Sequence, residues 1–163
     1  MKTPQEFAEA YYAKRGQSVQ LLPFFYCTSF VNEVSDTVLV PLTNIIGIDR
    51  DSDFVWCDLR AVVSNNNAHS PTDPTQLITN TKAGLTIQLG ETGRTFTDII
   101  PGTTPFTIAL TDLSGWADRP FILYEPFIVS ARTAIFVTLS STSHLSAVDV
   151  AFHGMKAVPG PLA

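Results

Sequence analysis

The chain has 163 residues, 45% of them hydrophobic and 15% charged, enough apolar material for one core, and a single domain is the expectation. Its formal net charge of −5, with no basic block, excludes a surface built to lie along nucleic acid, which needs clustered Lys and Arg. No apolar run approaches the roughly eighteen residues of a membrane span, and Met1-Lys2-Thr3-Pro4-Gln5-Glu6 lacks the apolar stretch of a secretory signal, so a soluble, unexported protein is expected.

The first sixteen residues differ from the rest. Thr3-Pro4-Gln5-Glu6 has the pattern of a capping box with proline at the first helical position, and Lys14-Arg15-Gly16 supplies cations and a glycine where a helix should stop. Phe7, Ala8, Tyr11 and Tyr12 fall on one stripe of the helix between them. So short a helix needs a surface to lie on, either its own domain or a neighbouring subunit.

From Val19 onward the pattern is extended. Residues 21–30 are aromatic with an early proline, which suits a strand entrance or a sheet edge. Residues 36–42 and 44–48 are shorter runs broken by Pro41 and Gly47. Residues 53–63 are the strongest strand of the first half. There Phe54, Trp56, Asp58 and Arg60 share one parity, while Val55, Cys57, Leu59, Ala61 and Val63 share the other, which is wholly apolar and is assigned to the core. Residues 64–75, rich in Asn, Ser and Pro, form the clearest loop. Strand candidates follow at 83–90, 96–100 and 107–110, then a turn-rich stretch at 114–120. Four apolar runs close the chain, at 120–124, 127–129, 134–139 and 147–155, with only turn residues between them. The expected fold is all-β: a jelly-roll-like antiparallel β-sandwich of about eight strands. Residues 1–16 are expected to be a helical arm and residues 17–163 a single β-sandwich domain.

No catalytic constellation emerges. Asp49, Asp51 and Asp53 alternate like the opening of a calcium loop, but Phe54 stands where glycine is needed and Arg60 where the final Glu should be, so a solvated turn is expected. His69, His144 and His153 are far apart; His153 meeting His144 across a hairpin would still lack a third ligand for zinc, and no metal or cofactor is expected. There is no Gly-x-Ser-x-Gly elbow and no phosphate-binding glycine loop. Cys27 and Cys57 sit inside strand-like runs and read as buried free thiols, with a single bridge left open. Candidates for protein contacts are Phe7, Tyr11 and Tyr12 on the helix stripe, Asn66 and His69 in the long loop, and Trp116 and Arg119 in the following turn-rich stretch.

Asp53-Phe54-Val55-Trp56 opens the central strand. Arg119-Pro120-Phe121 precedes Tyr124-Glu125-Pro126-Phe127, and the chain closes on Val148-Asp149-Val150-Ala151-Phe152-His153-Gly154-Met155-Lys156. Over residues 20–156 this arrangement resembles the jelly-roll accessory proteins of tailed-bacteriophage heads, the cement or decoration proteins. The resemblance implies a non-enzymatic virion protein, assembled in the host cytoplasm, that sits on the capsid exterior. Its implied partners are the major capsid protein and its own copies, as a dimer or trimer, with no nucleic acid and no membrane. The rival expectations are a phage fibre, baseplate or carbohydrate-binding sandwich, which would display exposed aromatics, and a small cupin-like enzyme, which would need a histidine and carboxylate cluster.

Overall fold

A computed structural model describes residues 3–31, 41–64, 83–90, 108–109, 121–141 and 147–161. The chain opens with helix α1 (Pro4–Ala13), whose start is a complete capping box. Glu6 N–H donates to Thr3 Oγ1 at 3.2 Å, and Thr3 N–H donates to Glu6 Oε2 at 2.8 Å, so two otherwise unpaired donors satisfy each other. Gly16 ends the helical segment at φ +69°, a left-handed conformation that suits glycine and turns the chain into the first strand.

Among the described residues eight strands follow: β1 (Gln17–Val31), β2 (Leu42–Gly47), β3 (Asp53–Ser64), β4 (Ala83–Leu89), β5 (Ile108–Ala109), β6 (Phe121–Val129), β7 (Ala134–Ser141) and β8 (Ala147–Pro161). They form two four-stranded sheets, ordered β1-β8-β3-β6 and β2-β7-β4-β5. The antiparallel pairs β1/β8, β2/β7, β3/β6 and β4/β5 are those of one long hairpin rolled across two layers, which is the jelly-roll winding. The expected all-β sandwich is therefore the observed fold.

Between the sheets lies the main core. Phe30, Phe54, Trp56, Leu59, Val148, Val150 and Phe152 of the first sheet meet Ile46, Leu85, Ile87, Ile135, Val137 and Leu139 of the second. The parity expected for β3 holds only in its second half. A bulge between Trp56 and Asp58 makes Cys57 an extra residue in the β3/β8 ladder, while in the β3/β6 ladder the four residues 123–126 stand opposite Cys57. Phe54 and Trp56 therefore face the core before the bulge, and Leu59 and Ala61 face it afterwards. Val55 and Cys57 turn to the opposite face. The Trp56 indole N–H donates to the Asp58 carbonyl at 2.8 Å and holds the bulge shut.

Two of the expected C-terminal runs are one strand. From Phe121 on, the runs expected at 120–124 and 127–129 join in β6, where residues 123–126 lie opposite the bulge and β6 occupies the sheet edge, so Pro126 interrupts no interior ladder. The expected runs at 36–40 and 96–100 and the loop at 65–75 lie outside the described residues.

Helix α1 lies across the outer face of the first sheet, on its own domain. Ala8 and Tyr12 are buried there against Val55 and Ala157, with Val19, Leu21, Cys57, Ile128 and Met155 around them. The Tyr12 hydroxyl donates to Asp53 Oδ2, while Asp53 Oδ1 accepts the backbone N–H of Ala131 at 2.8 Å, so one carboxylate joins the helix to the β6–β7 turn. Burial, reinforced by that carboxylate, holds the Tyr12 phenol far above its ordinary value.

Candidate interaction face

The helix covers only half of the first sheet's outer surface. Beyond it, the register lays the outward side chains in rows across the strands. Phe25, His153, Asp58 and Ile122 form the row next to the bulge, one residue from each of β1, β8, β3 and β6. Cys27, Ala151 and Arg60 form the next, and Ser29, Asp149 and Val62 the one after that.

Three of these positions are apolar and open to solvent: Phe25 is 58% exposed, Val62 59% and Ile122 72%. The polar groups between them are tied to one another. His153 Nδ1 lies 2.8 Å from Asp58 Oδ1, and Arg60 Nε lies 3.6 Å from the same oxygen. The Phe25 and His153 rings meet edge-on, with centroids 5.9 Å apart. Ser29 Oγ donates to Asp149 Oδ1 at 2.5 Å. Such half-exposed polar pairs add little to folding stability. They do order a surface on which apolar and polar groups alternate.

The outer face of the second sheet differs in chemistry. Its register aligns Thr43, Thr138 and Thr86 in one row, and the Thr43 and Thr138 hydroxyls are 2.8 Å apart. Ile45, 64% exposed, lies in the row beside Phe136 and Gln88.

The contact candidates from sequence fall elsewhere. Tyr12 is not available to a neighbour, because it is buried within its own chain; the side of the helix that carries it is the side that docks. Tyr11 is half-buried, its ring edge-on to Tyr12 and covered by the Arg15 guanidinium at 4.0 Å; Phe7 is also half-buried. Asn66, His69, Trp116 and Arg119 lie outside the described residues, as does His144.

The two thiols are free, but Cys27 is exposed rather than buried because its parity on β1 points outward. Cys57 is half-buried under the helix, and burial, with a smaller contribution from the neighbouring Asp58, pushes its thiol up to about 11. Of the alternating carboxylates, Asp49 pairs with Lys156, whose ammonium also sits 3.7 Å from the Phe24 ring centre, and Asp53 is held by Tyr12 and Ala131. Among the described residues no group of three or more His, Cys, Asp or Glu side chains is placed to hold a metal ion, and no helix is long and apolar enough to cross a membrane.

Phe25, Asp58, Arg60, Ile122 and His153 were not singled out as contact residues by the sequence. Phe25 sits in an aromatic run that reads as core, and the alignment of the row depends on the bulge at Cys57. Comparison with protein-family models, with curated proteins and with solved structures finds no match. The functional reading rests on the surface of the chain itself.

Proposed function

We propose that this chain is a virion structural protein, a cement or decoration protein of a tailed-phage head, that stabilises the shell by binding major capsid proteins and its own copies. The observation that carries this reading is the helix-free part of the first sheet's outer face, where Phe25, Val62 and Ile122 are exposed around a paired Asp58–His153–Arg60 centre. Exposed apolar side chains interspersed with paired polar groups on one face suit a contact with another macromolecule. The net charge of −5 favours the outside of a shell whose interior is filled with DNA. A repeating lattice lets individually weak contacts add through effective concentration. The role requires no catalytic residue.

Phe25 also favours a second reading, as a carbohydrate-binding, fibre or baseplate module. An exposed ring beside a carboxylate and an imidazole has the donors, acceptors and apolar surface that a sugar ring uses. One experiment separates the two. Purified protein should co-sediment with expanded heads of the cognate phage, saturating at a fixed number of copies per shell, and Phe25→Ala should weaken binding about tenfold or more, the effect of losing a buried aromatic anchor. Absence of head binding, together with retention on a glycan array, replaces the head reading with the carbohydrate one.

A further inference from the structure

The outward row next to the bulge has a property that a generic sticky surface lacks. Across the four strands it reads apolar, base, acid, apolar: Phe25, His153, Asp58, Ile122. Read backwards, it is its own complement. A two-fold axis lying in the contact plane and running along the strands performs that reversal, because it sets each column of one copy against the opposite column of the other while keeping every row at its own level. Phe25 then meets Ile122 of the second copy, and His153 meets its Asp58. In the next row Arg60 arrives over Ala151, whose small side chain leaves room for the guanidinium to reach the adjacent Asp149. Each of these contacts occurs twice.

The other in-plane axis, perpendicular to the strands and centred on the middle row, sets His153 against Asp149 but loses the pairing of Phe25 with Ile122. It places Arg60 against Arg60 and Cys27 against Cys27, a repulsion between like charges in the middle of the face.

We propose that the helix-free half of the first sheet's outer face is the contact with a second copy of this chain, the two copies related by a two-fold axis along the strands. The proposal deepens the head-protein role, on whose requirement for contacts between copies it rests. The three rows, four, three and three positions wide, cover about 320 Å2 on each copy. That is less than half of the roughly 800 Å2 that each partner contributes to a stable complex. The pair is therefore transient in dilute solution and fills where copies are crowded together.

Site-specific disulfide trapping tests this. In a background carrying Cys27→Ser and Cys57→Ala, Phe25→Cys protein and Ile122→Cys protein are mixed under mild oxidation, and the linked peptides are identified by mass spectrometry. Both positions are exposed, so the substitutions disturb no core packing. Within one copy the two columns are three strand spacings apart, about 14 Å, beyond the roughly 7 Å that a disulfide spans, so any bond between them joins two molecules. The expected result is that the 25-to-122 link exceeds the 25-to-25 and 122-to-122 links at least tenfold. Arg60→Glu should lower its yield, and adding Asp149→Arg should restore it. No link, a dominant like-to-like link, or a Cys27-to-Cys27 bond as the main product of oxidising the native protein overturns the proposal. Head binding without the 25-to-122 link overturns this face and leaves the head role standing, whereas the link without head binding does the reverse.

Discussion

Gly154 shows how little room the first sheet leaves at its centre. A β-carbon built there would fall inside contact distance of the Val55 carbonyl oxygen, 2.9 Å from the Val55 carbonyl carbon and 3.1 Å from Phe54 Cε2. The nearest atoms belong to the β3 backbone, which cannot yield without loosening the β3/β8 ladder beside the bulge. Gly154→Ala is expected to cost about 3 kcal/mol or more, measured as a lowered urea midpoint; an unchanged midpoint would show that the ladder can shift. Cys57 carries a different kind of sensitivity. Its thiol is raised from 9.0 to about 11 in the folded chain, so between those values the unfolded chain has released the proton that the native state still holds. The native state then binds more protons, and stability falls as pH rises through that window. Wild-type protein should lose melting temperature between pH 9 and 11 more steeply than Cys57→Ala, and parallel slopes for the two would count against the assignment.

Helix α1 is the element whose sequence was easiest to read and whose partner was hardest. Its cap, its stop and its apolar stripe all follow from local chemistry, and Thr3, Glu6 and Gly16 behave as their spacing demands. What the stripe lies on is a tertiary fact. The answer is Val55, Ile128, Met155 and Ala157, from three strands up to about 150 positions away in sequence. Removing residues 3–16 is expected to lower the stability of the isolated protein by about 3 kcal/mol, the order expected for burying the Tyr12 side chain. It should also speed alkylation of Cys57 by iodoacetamide several-fold, since the helix shields that thiol. Unchanged melting and unchanged alkylation would mean that the helix is a loose appendage. The strands divide along the same line. Periodicity located most of them, yet it could not show that one extra residue at Cys57 exchanges the faces of β3, nor that Pro126 lies within an edge strand rather than between two strands.

At the scale of the molecule, composition and alternation were enough for the class of fold, because a chain this apolar with short β-branched runs has few other ways to bury itself. The surface was not legible in the same way. The row Phe25, His153, Asp58, Ile122 gathers residues spread over 128 positions of sequence, and it exists only because β8 is inserted between β1 and β3. That insertion also sets an order in time. Of the eight described strands, the one between β1 and β3 is the last to leave the ribosome, and the one between β2 and β4 comes just before it. A nascent chain still awaiting β8 has neither a closed first sheet nor His153, Ala151 and Asp149 in place on it. Copies growing side by side on one messenger RNA therefore do not yet carry the surface through which finished copies would meet.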